Sequence, residues 1–192
     1  KGNDNYIKAY ATKLITSAVT TVYNGNKYLV VTLKDSSDKI LSGYKVTIIL
    51  NGKTKNLVTD SKGQVKLTTN NLVPKTYTAT IKFEGTLKYL KSTKNAKITV
   101  KKATPKFIAQ AKAFKLSDKT KKYVVILKDN NNKVMQSKMV YIKVAGITYS
   151  AKTDAKGQAT FKLTKLKKVG SFYAGLTFKG NAYYNKCYKT VK

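Results

Sequence analysis

LKDSSDKILSGYKVTIILNGKTKNLVTDSKGQVKL, residues 33–67, returns as LKDNNNKVMQSKMVYIKVAGITYSAKTDAKGQATF, residues 127–161, at a constant offset of 94. Leu33-Lys34-Asp35 meets Leu127-Lys128-Asp129, and Thr59-Asp60-Ser61-Lys62-Gly63-Gln64 meets Thr153-Asp154-Ala155-Lys156-Gly157-Gln158. After one inserted residue, Phe83-Glu84-Gly85 and Tyr89 meet Phe178-Lys179-Gly180 and Tyr184. In a chain of 192 residues such a period means two copies of one folding unit.

Inside each copy the apolar residues recur every second position, the mark of strands with one buried face. Leu29, Val31 and Leu33 alternate, as do Tyr123, Val125 and Leu127. Val46, Ile48 and Leu50 repeat the pattern against Val140, Ile142 and Val144, and Tyr77, Ala79, Ile81 and Phe83 against Phe172, Ala174, Leu176 and Phe178. Agreement between copies sets the register, because a slip of one residue would turn every core side chain outward. Asn51-Gly52 has the composition of a type I′ hairpin turn, in which both central residues take positive φ. Ala145-Gly146 fits that turn less well and predicts a changed turn type in the second copy. In Asp60-x-x-Gly63 and Asp154-x-x-Gly157, Asp is expected to cap backbone amides and Gly to take the left-handed position.

About seven short strands per copy, with no helical period, predict an all-β chain of two tandem Ig-like Greek-key β-sandwiches. Tyr77 after Leu72-Val73-Pro74 has the placement of a tyrosine corner, a role Phe172 lacks the hydroxyl to fill. The seam falls at Val100–Lys106, where Pro105 restricts its own φ and that of Thr104. This division gives an N-terminal segment at 1–11, a first domain at 12–102, a linker at 103–105 and a second domain at 106–192. Lys1-Gly2-Asn3-x-x-Tyr6 echoes Lys179-Gly180-Asn181-x-x-Tyr184, so residues 1–11 read as the tail of a preceding repeat, though one strand short.

The L-K-D strand end, the N-G hairpin, T-D-x-K-G-Q, and Y-x-A-x-I-x-F-x-G with a Tyr beyond it resemble the Ig-like repeats of bacterial and archaeal surface proteins. With its abundant Lys, Asn, Thr and Tyr, the chain most resembles the adhesin-like repeat proteins of methanogenic archaea. The resemblance covers residues 12–192. It implies a non-enzymatic, extracellular protein of the cell surface or wall, a monomeric piece of a longer array, attaching to other cells or to anionic wall polymers. It supplies no catalytic residues, and no cofactor or metal is expected.

Composition narrows the chemistry independently. The chain has no His, which removes the usual acid–base catalyst and imidazole metal sites, and its single Cys excludes a disulfide framework. Only a Ser/Lys pair could supply nucleophile and base. Asp35, Asp38 and Asp60 could converge as loop ligands of Ca²⁺, but turn capping accounts for them and the net charge of +31 opposes a dication. Glu84, the one Glu, follows the inward Phe83 and is expected in solvent, so no Lys–Asn isopeptide cross-link is expected. Cys187 reads as a small buried hydrophobe. No apolar run reaches the ~18 to 20 residues of a membrane span, and no secretory signal opens the chain.

Residues 1–102 carry net +14 and residues 103–192 net +17, so the positive charge is spread along the chain. Such a chain attracts polyanions, nucleic acid included, and this polyanion-binding module is the second reading. The absence of Arg counts against base-specific contacts. The Tyr-rich segment near the C-terminus supplies the candidate binding residues Tyr183, Asn185 and Lys186, of a type suited to protein or sugar contacts.

Overall fold

The computed structural model describes residues 9–192, so the Lys1-Gly2-Asn3-x-x-Tyr6 echo lies outside the described residues. These residues form fifteen β-strands and divide into two compact units, residues 9–22 with 26–101 and residues 23–25 with 102–192.

Unit 1 packs a three-stranded sheet, β1 (Thr12–Thr16), β3 (Tyr28–Asp35) and β6 (Gln64–Thr68), against a five-stranded one. The second sheet runs β2 (Val19–Val22), β8 (Ser92–Lys101), β7 (Lys75–Phe83), β4 (Lys45–Leu50) and β5 (Lys53–Val58). The first strand changes sheets at Ser17-Ala18: β1 pairs antiparallel with β3, whereas β2 pairs parallel with β8. The alternation read from sequence is the core. Leu29, Val31 and Leu33 meet Val46, Ile48, Ala79, Ile81 and Ile98, all essentially inaccessible to water. At ~25 cal/mol per Å² of apolar area removed from water, this layer is the main stabilising contribution to the unit.

Unit 2 repeats the arrangement with β9 (Lys106–Ile108), β10 (Lys122–Lys128) and β13 (Gln158–Lys162) in one sheet. The other runs β12 (Ile147–Lys152), β11 (Met139–Val144), β14 (Ala174–Phe178) and β15 (Cys187–Val191). Phe161, Val125, Leu127, Val140, Ile142 and Leu176 fill its core.

The turns are set by the same side chains in both units. Asp60 Oδ1 accepts the amides of Lys62 and Gln64, both at 2.9 Å, and Asp154 Oδ1 those of Lys156 and Gln158 at 2.8 and 2.9 Å. Gly63 and Gly157 have φ of 66° and 70°. A Cβ on Gly63 would lie 2.9 Å from the Leu33 carbonyl oxygen, and one on Gly157 3.0 Å from that of Leu127, so both conformation and space demand glycine. Asp35 and Asp129, both buried, likewise accept two amides each from the turns that follow them.

One turn departs from expectation. Ala145-Gly146 has φ of 49° and 81°, matching the 51° and 73° of Asn51-Gly52, so the second copy keeps the primed turn. The pairs Leu50↔Lys53 and Val144↔Ile147 leave two loop residues in each hairpin. Strand twist then selects a turn with positive φ at both, and Ala145 takes the strained conformation.

The tyrosine corner forms where its hydroxyl exists: Tyr77 Oη donates to the Val73 carbonyl at 2.9 Å. β14 is five residues long where β7 has nine, and β15 five where β8 has ten. In unit 1 the ladder continues past Ala79↔Ala96 through Tyr77↔Ile98 to Lys75↔Val100. In unit 2 the ladder runs from Phe178↔Cys187 to Ala174↔Val191, one residue before the end of the sequence.

Candidate functional site

The three residues singled out from sequence lie on one loop between β14 and β15 but serve different ends. Gly180 (φ 82°) starts the loop, and Asn181 Oδ1 accepts the amides of Tyr183 and Tyr184, each at 2.9 Å. This fixes Tyr184 inward, buried, and Tyr183 outward, 40% exposed. Burial lifts the Tyr184 hydroxyl above the usual tyrosine range, with the Asp129 carboxylate adding to the shift. Within unit 2 the Tyr183 ring packs on Tyr23 with centroids 4.9 Å apart. Asn185 is a structural tie: its amide donates to the Ala103 carbonyl at 2.8 Å, and its Nδ2 donates to Thr104 Oγ1 at 3.0 Å. Lys186 stands with its ammonium 5.9 Å from the Tyr188 ring centroid. The geometry therefore leaves Tyr183 and Lys186 facing solvent and employs Asn185 in the fold.

The acidic residues are engaged locally. Asp38, in left-handed conformation at φ 63°, sits 2.8 Å from Lys13 Nζ and 3.7 Å from Lys34 Nζ. The Lys13 hydrogen bond holds its carboxyl below the usual aspartate range. Asn132 has the same φ of 63°, so the change from Asp38 to Asn132 keeps a residue tolerant of that conformation. Asp60 is committed to its own turn, and Glu84 is exposed. Cys187 is buried opposite Phe178 on the neighbouring strand, and burial pushes its thiol up to about 11, the behaviour of an unreactive core residue.

A cleft of about 650 Å³ opens in unit 2 beside Gly170, Phe172, Phe114, Tyr123, Leu163 and Val191. Apolar side chains make up most of its lining, with Lys112, Lys121, Lys168, Ser171 and Lys192 also at it.

The outer face of the larger sheet carries Tyr141 and Met139, for which the inward alternation gives no signal, beside Tyr188 of the Tyr-rich segment. These three project there in unit 2, where unit 1 has Thr47, Lys45 and Thr93. Comparing the outward positions of the two copies, rather than the inward ones, would have drawn attention to them.

Comparison with known proteins bears on the fold. No family model matches the chain. No curated protein matches it either. Among solved structures it is similar to invasin, a bacterial integrin-binding protein, at 16% identity and a TM-score of 0.53, over 94% of this chain and 38% of that one. It is also similar to a 1.5-MDa bacterial ice-binding adhesin, at 14% identity and a TM-score of 0.42, over 95% of this chain and 63% of that one. The Yersinia pseudotuberculosis adhesin InvE matches at 19% identity and a TM-score of 0.40, over 94% of this chain and 58% of that one. The chain spans less than two thirds of each of these structures. The likeness to invasin places the chain among all-β proteins built of Ig-like sandwiches.

Proposed function

We propose that this chain is a non-enzymatic, extracellular adhesin-like protein whose Ig-like domains, 12–102 and 106–192, present a basic surface to other cells or to anionic wall polymers. The observation that carries the reading is the pairing of a twice-built Ig-like sandwich with net positive charge in both copies, +14 and +17. The motif resemblance to methanogen surface repeats supports the same reading, and the invasin-like fold agrees with it. Within the loop, Tyr183 and Lys186 are the residues free to touch a partner, while Asn185 holds the loop in place.

Polyanion or nucleic-acid binding is the second reading, favoured by the charge alone. Salt separates the two. The screening length falls from about 10 Å at ~0.1 M to about 3 Å at ~1 M, so binding by diffuse charge fades over that range. For duplex DNA, log affinity falls with log salt by about 0.9 per phosphate neutralised. Binding of the chain to cells, measured across that range with Tyr183→Ala alongside, decides. The adhesin-like reading expects a part of the cell binding to survive salt, and that part to weaken in Tyr183→Ala. Complete loss with salt, with no effect of Tyr183→Ala, supports the polyanion reading.

A further inference from the structure

The two larger sheets share strand pairing yet expose different chemistry. In unit 2 the register sets Ser150, Tyr141, Thr177 and Tyr188 in one row across β12, β11, β14 and β15. The next row holds Thr148, Lys143, Gly175 and Thr190. At the other side of the Tyr row stand Met139 and, flanking the strand ends, Lys179 and Lys186. Tyr188 is 65% exposed. The positions of Tyr141, Thr177 and Tyr188 are Thr47, Lys82 and Thr93 in unit 1.

These tyrosines hold cations. Lys179 Nζ lies 4.4 Å from the Tyr141 ring centroid, and Lys186 Nζ 5.9 Å from that of Tyr188. An ammonium over an aromatic face is attracted by the ring quadrupole, so each Lys keeps its charge near the sheet instead of sweeping through solvent. The two tyrosines are two strands apart, about 10 Å at the usual strand spacing. β11, β12, β14 and β15 contain no Asp or Glu to neutralise this face.

We infer that this face binds an acidic polysaccharide, a chain of uronate sugars whose carboxylates meet Lys179, Lys186 and Lys143 while its rings lie along the Tyr141–Tyr188 row. The inference rests on the adhesin-like reading and names the polymer class for it. Charge complementarity selects an anion. The flat sheet face selects a chain that lies across strands, because an added peptide strand would use a sheet edge. Nucleic acid would meet the same lysines through phosphate, and the DNA arm of the test reads that outcome separately.

The test is titration of the full chain with alginate, using dextran as the neutral control and a mixed-sequence DNA oligonucleotide as the competing polyanion. Tyr141→Thr with Tyr188→Thr installs the residues of unit 1 without altering net charge, and is expected to weaken alginate binding about tenfold while leaving DNA binding unchanged. Lys179→Gln with Lys186→Gln is expected to weaken alginate binding about as much, and Lys62→Gln with Lys156→Gln, which removes the same charge from exposed turns, less than about twofold. Tyr188→Phe keeps the ring and is expected to bind like the parent chain, which separates loss of the site from loss of the fold. Equal weakening by both Gln pairs, or parental binding by the double Thr variant, overturns the site. A chain that binds cells through salt but does not bind alginate also overturns it, and leaves the adhesin-like reading standing.

Discussion

Unit 1 carries its first strand from one sheet to the other, β1 on β3 and β2 in parallel on β8, whereas unit 2 has the three-residue β9 on β10 at the place of β1. The larger sheets differ again on their outer faces, Thr and Lys in one, Tyr and Met in the other. What the units share is the turn chemistry. Thr59 donates to the Leu41 carbonyl at 2.7 Å and accepts the Tyr44 amide, and Thr153 donates to the Met135 carbonyl at 2.6 Å and accepts the Lys138 amide. Buried polar groups leave little freedom once their partners are backbone, because an unsatisfied carbonyl or amide costs about 1–3 kcal/mol. A face exposed to water has no such restraint, and that is where the copies diverge.

The strongest break of this comparison is in the cores. Phe161, 1% exposed, fills unit 2 where unit 1 has the only partly buried Leu67. Phe161→Ala is expected to cost about 3–5 kcal/mol, and Leu67→Ala clearly less. Hydrogen exchange on the full chain should show the loss within residues 102–192. An equal loss of protection in 26–101 would mean that the two units do not unfold separately.

Cys187 distinguishes the units next. Its counterpart Ser92 accepts a hydrogen bond from Thr12 at 2.8 Å, whereas the strand registers put Pro105, which has no hydroxyl, in the place of Thr12 in unit 2. Cys187→Ser thus buries a hydroxyl without that partner and is expected to cost about 1–3 kcal/mol by urea unfolding. The thiol also titrates with a definite sign. Its folded value, about 11, lies above the ordinary 9, so the stability it contributes is complete below pH ~9 and is lost as pH rises towards ~11. Cys187→Ala should lose less stability than the parent chain over that window; an identical decline in both would remove Cys187 from the account.

Tyr77 offers a smaller effect. Tyr77→Phe removes the hydrogen bond to Val73 and is expected to cost about 1 kcal/mol, while Phe172→Tyr, with β14 starting only at Ala174, should gain nothing. A stabilised Phe172→Tyr variant would show that unit 2 can form the same corner.

Most of the fold was legible because the inward residues alternate identically in two copies, which is the strongest form a period-two pattern can take. The Asp-x-x-Gly turns were legible because their geometry depends on one carboxylate and one glycine. The crossing of the first strand between sheets at Ser17-Ala18 was not, since Thr12–Thr16 and Val19–Val22 read as one strand until their partners are known. The candidate site was legible only as a loop. Composition could suggest Tyr183, Asn185 and Lys186, but whether Asn185 bonds a partner or its own backbone depends on residues 102–104, far away in sequence. Tyr188 was legible as part of the Tyr-rich segment, whereas outward Tyr141 carried no signal in a pattern of buried alternation.

The smallest effect concerns the hairpin that sequence reading misjudged. At Ala145 the backbone has φ 49°, a conformation that crowds Cβ against the following carbonyl and costs an ordinary residue about 1–2 kcal/mol. Asn tolerates it better, and unit 1 uses Asn51 at the same place with φ 51°. The flanking pairs Val144↔Ile147 and Leu50↔Lys53 show that the two hairpins are otherwise alike in length. Ala145→Asn should therefore stabilise unit 2 by about 0.5–1 kcal/mol, since the turn is already formed and only its local strain is relieved. The reverse change, Asn51→Ala, should destabilise unit 1 by a similar amount. Thermal unfolding of both variants measures the pair of shifts. Opposite signs of similar size would show that the turn is the same device in both units. A destabilised Ala145→Asn would mean that the partly buried Ala145 contributes packing worth more than its strain.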